Sequence, residues 1–281
     1  MKAILVPFHE EAGARAALRL SMLLAKRFGS YLEGLLVRGE PIIAFAPGMI
    51  VPPTYLTEAV EEWRRFADRA RAEFSKTAEG NGLPILPPEI SAKGPAVGWR
   101  EVQGYEPEVV GQRGRLFDVI VIGRSQPPSE AGWHDIRDAA LFETGRPVLL
   151  APAETPPTVG SRIVIAWNGS TESARTLAFG MPFLMTANQV EILTVEGQLF
   201  PGPSGDDVVA YLECHGIASQ HRYLKTEGRP PGEVILNEAG DIGADLILKG
   251  AFTRSRFRQI VFGGATQHIL DYANVPTLLA H

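Results

Sequence analysis

The sequence predicts an α/β protein made of two tandem doubly wound parallel-sheet domains. Three observations predict it: strand markers that recur in the same order in both halves, apolar runs alternating with amphipathic stretches, and a proline-rich seam between the copies. ILVPFHEEAGARAAL, Ile4 to Leu18, is answered 159 residues later by IVIAWNGSTESARTL, Ile163 to Leu177. DVIVIG, Asp118 to Gly123, is answered by DLILKG, Asp245 to Gly250. Each copy closes on another apolar run, RPVLLAPA (Arg146 to Ala153) and VPTLLAH (Val275 to His281). The seam, PAETPPTVGS from Pro152 to Ser161, holds three prolines and a glycine, which suit a semi-stiff connector and no regular element. The division expected is a domain over 1–153, a linker over 154–161 and a second domain over 162–281.

The elements follow in chain order. Ile4 to Phe8 is continuously apolar, as a strand buried on both faces of a parallel sheet must be. Ala12 to Phe28 sets Ala16, Leu20, Leu23, Leu24 and Phe28 at helical intervals. Tyr31 to Val37 reads as the second strand. Thr57 to Gly80 is a long charged helix with Val60, Trp63, Phe66, Ala67, Ala70 and Phe74 on one face. Pro107 to Gly111 is a weaker helix, GQRG at 111–114 a turn, and Phe117 to Ile122 a buried strand. The second half repeats the alternation, with strands at 162–167, 189–195, 218–225 and 245–249 and helices at 170–185, 205–214 and 231–240. In such sheets ligands sit beyond the carboxyl ends of the strands, where the strand order reverses. That rule selects the polar knots at 9–13 and 168–171 and the loops after Gly123 and Gly250.

Composition excludes several functions. With 45% hydrophobic and 21% charged residues, the 281-residue chain reads as globular. A net charge of -5 gives no reason to expect nucleic acid or an anionic membrane as partner. The single Cys214 fits a reducing compartment, and the opening MKAILVPF is too short for a signal or membrane segment, so the expected location is cytoplasmic. None of the six histidines stands in H-E-x-x-H, and no G-x-S-x-G elbow occurs; neither metal nor hydrolase triad is expected. Cys214 and His215 are adjacent, and adjacent residues on a helix face apart.

The opening strand and knot, the strand ending in glycine, the long glycine loop and the last strand beginning at a proline resemble the universal stress protein family, whose fold is of the adenine nucleotide alpha hydrolase-like type. The resemblance covers both halves and is stronger in the second. Nucleotide-binding members carry an aspartate after the first strand and a G-x2-G-x9-G-[S/T] loop after the fourth. Here Asn168 replaces the aspartate, Gly250 matches the first loop glycine, Thr253 replaces the second, Gly263 matches the third and Gly264 replaces the Ser/Thr. Arg254 and Ser255 resemble the family's arginine-serine pair. With Ala166 and Ala265, these nine residues form the cofactor site that the resemblance implies.

Physical chemistry weakens that site. The loop glycines let successive N–H groups turn inward around an anion, some at φ > 0, where β-branched Thr253 would be strained. Gly264 lacks a hydroxyl whose bond to a charged phosphate is worth about 1.5–3 kcal/mol. Arg254, Arg256 and Arg258 compensate in charge, or are simply solvated. Asn168 before Gly169 suits a turn as well as a ligand contact, and the turn is favoured. In the first half His9 takes the aspartate position, followed by Glu10 and Glu11. Pro127, Pro128, Glu130 and Asp135 oppose phosphate, and His134 and Asp135 fall where the second half has Gly263 and Gly264.

The resemblance thus implies a non-catalytic stress-response protein with weak or vestigial binding of ATP, AMP or another adenine nucleotide in the second half alone. A slow ATP hydrolase, and a module for another small molecule or protein partner under the apolar stretch Ile42 to Leu56, remain alternatives. The resemblance also implies that strands 146–153 and 275–281 pair across the halves, making one chain an intrachain pseudo-dimer. Further homo-oligomerisation stays open.

Overall fold

A computed structural model of the chain describes residues 1–8, 12–39, 53–88, 94–124, 131–252 and 264–281. The first half contains β1 (Ala3–Pro7), α1 (Ala12–Phe28), β2 (Tyr31–Arg38), α2 (Pro53–Gly80), β3 (Ile85–Leu86), β4 (Ala96–Gln103), α3 (Glu106–Gly114), β5 (Val119–Gly123), α4 (Ala131–Glu143) and β6 (Val148–Ala151). The second contains β7 (Arg162–Ala166), α5 (Thr171–Leu184), β8 (Gln189–Val195), α6 (Gly205–Cys214), β9 (Gln220–Leu224), α7 (Pro231–Ile242), β10 (Leu246–Gly250), α8 (Ala265–Tyr272) and β11 (Thr277–Ala280).

Among the described residues eleven strands join one sheet in the order β3-β4-β2-β1-β5-β6-β11-β10-β7-β8-β9. Reading inward, β4-β2-β1-β5-β6 and β9-β8-β7-β10-β11 trace the same path, third-second-first-fourth-fifth, so the repeat seen in the sequence is a repeat of topology. Pairing is parallel except where the halves meet. There β6 and β11 run antiparallel, with Leu149 opposite Leu278 and Val148 opposite Leu279. Strands buried on both faces supply the reason for their apolar runs: every residue of β1, β5, β6 and β11 is buried.

Helices cover both faces. On one, α1, α2, α5 and α6 share a single apolar core that crosses from half to half, with Leu24, Phe74, Phe183 and Leu212 fully buried. On the other, α3 and α4 pack around Phe117 and Leu141, and α7 and α8 around Ile235 and Ile269. Local chemistry sets several helix ends. Ser170 caps α5, a Ser204–Asp207 capping box starts α6, and Gly243, at φ 68, ends α7 in the left-handed conformation. On α2 the buried face carries Ala67, Ala70 and Phe74, while Trp63 is half-buried under the Arg38 guanidinium.

Four elements were not legible in the sequence: β3, β4, α4 and α8. β4 is buried only along Ala96, Val97 and Gly98 and then becomes polar, so its apolar run is too short to register. The GQRG segment is not a turn. It is the last part of α3, where a side chain on Gly114 would come within 2.6 Å of Thr144 and one on Gly111 within 2.7 Å of Glu143. These glycines let α3 and α4 pack closely. His134 and Asp135 lie in α4 rather than in a loop.

Candidate functional site

Each half reverses its strand order between its first and fourth strands, β1/β5 and β7/β10. A crevice therefore opens beyond their carboxyl ends. In the second half β7 stops at Ala166, paired in register with Lys249, and the chain runs on through Trp167 and Asn168. Ala166, Asn168, Lys249, Gly250 and Ala265 line a cavity of about 20 Å³ there. That is room for about one water.

Asn168 is committed to its turn. Its Oδ1 accepts from the Ser170 N–H at 3.2 Å and from the Ser173 hydroxyl, so only its Nδ2 amide remains for a ligand. Gly169 sits at φ 82, and the Ser170 hydroxyl accepts from the Ser173 N–H at 3.2 Å to cap α5. Gly250 serves close approach: a side-chain carbon there would lie 2.6 Å from the Ser173 nitrogen. The strand end can touch the first turn of α5 only without one. Gly264 is the N-cap of α8 and supplies no side-chain bond, leaving the first amides of that helix, beginning at Ala265, without an intrahelical acceptor. The structure thus brings together Ala166, Asn168, Gly250 and Ala265, with Gly264 beside them. Thr253, Arg254, Ser255 and Gly263 lie outside the described residues, as do His9, Glu10, Glu11, Pro127, Pro128, Glu130 and the stretch Ile42 to Pro52.

The residue that sequence reading missed is Lys249. It is 8% exposed on a strand otherwise wholly apolar. Its Nζ donates to the Gly250 carbonyl at 2.8 Å and to the Thr266 hydroxyl at 3.0 Å. Among the described residues it has no carboxylate partner. Desolvation lowers its pKa from 10.5 to about 8. A signal did exist: aligning DVIVIG with DLILKG sets Lys249 opposite Ile122, a charge where the other copy keeps a core aliphatic.

The first half differs at the corresponding strand end. The Trp133 indole donates to the Gly123 carbonyl at 2.8 Å, so this strand-ending glycine is covered by an aromatic ring where Gly250 meets an amine. Two further polar features lie away from both crevices. Fully buried Glu33 on β2 accepts from Arg113 Nε and from its Nη2 at 2.6 Å, pairs with Arg100 Nε at 3.3 Å, and accepts from the Tyr31 hydroxyl at 3.4 Å. Burial, then the Glu33 charge, pushes the Tyr31 phenol well above its ordinary range. A hollow of about 530 Å³ separates α1 from the seam, where Arg27 donates to Thr186 Oγ1 at 2.6 Å. Among the described residues no cluster of three metal-ligating side chains occurs, and no helix is long and apolar enough to cross a membrane.

Residues 161–281 match the model of the universal stress protein family. A universal stress protein from Archaeoglobus fulgidus DSM 4304 superposes with a TM-score of 0.73 at 14% identity, over 99% of this chain and 95% of that one. A functionally unknown protein from Pseudomonas aeruginosa PAO1 gives 0.54 at 13% identity, over 100% and 92%. No curated protein matches the sequence. The superpositions establish the fold across both halves, and the family match covers the second half. Residues 161–281 belong to the universal stress protein family, and the chain as a whole carries that family's fold.

Proposed function

We propose that this is a non-catalytic stress-response protein of the cytoplasm, built as an intrachain pseudo-dimer of domains 1–153 and 162–281 joined by 154–161. Its second half binds ATP, AMP or another adenine nucleotide weakly. The observation that carries this reading is the crevice between β7 and β10, where Ala166, Asn168, Gly250 and Ala265 converge inside a universal stress protein domain. Thr253, Arg254, Ser255, Gly263 and Gly264 complete the proposed site.

Three features argue for weakness. The cavity of about 20 Å³ admits no purine without rearrangement. Asn168 presents an amide rather than a carboxylate, and its carbonyl oxygen is already engaged. Gly264 brings no hydroxyl to the helix start.

Calorimetric titration with ATP and AMP, with magnesium, tests the proposal. Weak binding is expected in the wild-type protein, with a gain of about tenfold or more in the double variant Thr253→Gly/Gly264→Ser, since one restored bond to a charged group is worth about 1.5–3 kcal/mol. Undetectable binding in both proteins, or no gain in the variant, would overturn it.

A further inference from the structure

Lys249 stands in a place that suits an ammonium poorly. It is buried, and the chain contains no Asp or Glu between Asp245 and Asp271 to neutralise it. Its Nζ also lies against Thr266, in the first turn of α8, where the helix dipole is positive and repels a cation. Two carboxylates on this face of the sheet, Glu191 on β8 and Glu238 on α7, form ion pairs with Arg222 and not with Lys249. Among the described residues, neither Glu233 and Asp241 on α7 nor His268 and Asp271 on α8 bonds the amine, whose partners are Gly250 and Thr266.

The nitrogen's geometry is equally specific. Two of its N–H groups are spent on the Gly250 carbonyl and the Thr266 hydroxyl. The remaining tetrahedral position carries a third proton in the ammonium and a lone pair in the neutral amine. Burial keeps about half the side chains neutral near pH 8. The cavity that Lys249 lines is small, about 20 Å³, which favours the smallest electrophiles, carbon dioxide among them.

We propose that Lys249 is a carboxylation site, taking up carbon dioxide as a lysine carbamate. The lone pair on Nζ forms the new N–C bond to carbon dioxide as one C=O π pair moves onto oxygen. The proton then lost from nitrogen goes to water. The product is an anion, and it reverses the electrostatics: the first turn of α8, unfavourable to the ammonium, favours the carbamate. Nitrogen keeps one N–H for the Gly250 carbonyl. The Thr266 hydroxyl, an acceptor from the amine, becomes a donor to a carbamate oxygen, and Asn168 lines the same cavity. A second-half site that is cationic without carbon dioxide is neutralised or made anionic with it. The step does not depend on nucleotide binding.

The test is ¹³C NMR of the full chain in ¹³C-bicarbonate between pH 6.5 and 8.5, with O-ethyl trapping and peptide mass spectrometry to locate the adduct. The expected result is one carbamate resonance that grows several-fold with pH, is lost in Lys249→Met and is reduced in Thr266→Val, with the trapped adduct on Lys249. Absence of the resonance at pH 8.5, or its persistence in Lys249→Met, overturns the proposal. An adduct mapped only to the amino terminus or another lysine does the same, a readout that holds even if the methionine variant fails to fold.

Discussion

Gly123 and Gly13 meet backbone to backbone: a side-chain carbon on Gly123 would overlap the Gly13 carbonyl oxygen. The contact seats the first turn of α1 on the end of β5, as Gly250 seats α5 on β10. Because backbone cannot swing aside as a side chain does, Gly123→Ala is expected to destabilise the protein by at least about 1–3 kcal/mol. Gly80→Ala, at the end of α2 with nothing within 4 Å, is expected to be neutral or to stabilise by up to about 1 kcal/mol. Urea denaturation of both variants decides, and equal stabilities would refute the close-contact account.

Lys249 makes stability depend on pH. Its folded pKa of about 8 lies below the 10.5 of an exposed lysine. Between those values the unfolded chain binds more protons than the folded one, so stability rises with pH across this window and is lowest below it. The rise from Lys249 alone is on the order of 3 kcal/mol. Lys249→Met removes it. Urea midpoints at pH 7, 8.5 and 10 in carbon-dioxide-free buffer should therefore show the variant gaining least relative to wild type at pH 10. A constant difference across all three would contradict the burial of a titrating amine.

The Glu33 cluster places one buried carboxylate against two guanidiniums. Glu33→Gln leaves Arg113 and Arg100 without their anion and is expected to cost about 3 kcal/mol. Glu61→Gln, which breaks the exposed pair with Arg65 at 4.0 Å, is expected to cost less than about 0.5 kcal/mol. A loss below 1 kcal/mol for Glu33→Gln would show that the buried pairs are not needed.

Asn168 separates a turn role from a ligand role. Asn168→Ala removes the acceptor for Ser170 and Ser173 and is expected to cost about 1–2 kcal/mol, whereas Asn168→Asp keeps that acceptor. Thermal melts of ligand-free protein give the comparison. An alanine variant as stable as wild type would leave Asn168 no structural task.

Much of this fold was written in local order. A doubly covered parallel sheet demands strands apolar on both faces, so β1, β5 and β7 announce themselves within a few residues, and duplication makes each half a check on the other. Segments whose burial depends on distant partners stayed silent. The polar end of β4 is a strand through its pairing with β2, and Gly111 and Gly114 lack side chains where Glu143 and Thr144 lie opposite them. The family resemblance likewise named Gly250 and Asn168, but not the close approach to α5 that Gly250 permits.

What the sequence determined alone was therefore the alternation of strand and helix, the repeat, the seam and the chemistry available at each strand end. The tertiary structure decided what those groups meet. It set Lys249 against the start of α8 and laid Trp133 over Gly123, and it spent the Asn168 carbonyl oxygen on the turn before α5. The physical reason is that periodicity reports which faces are buried, while charge, hydrogen-bond partners and free volume depend on residues brought together from far along the chain.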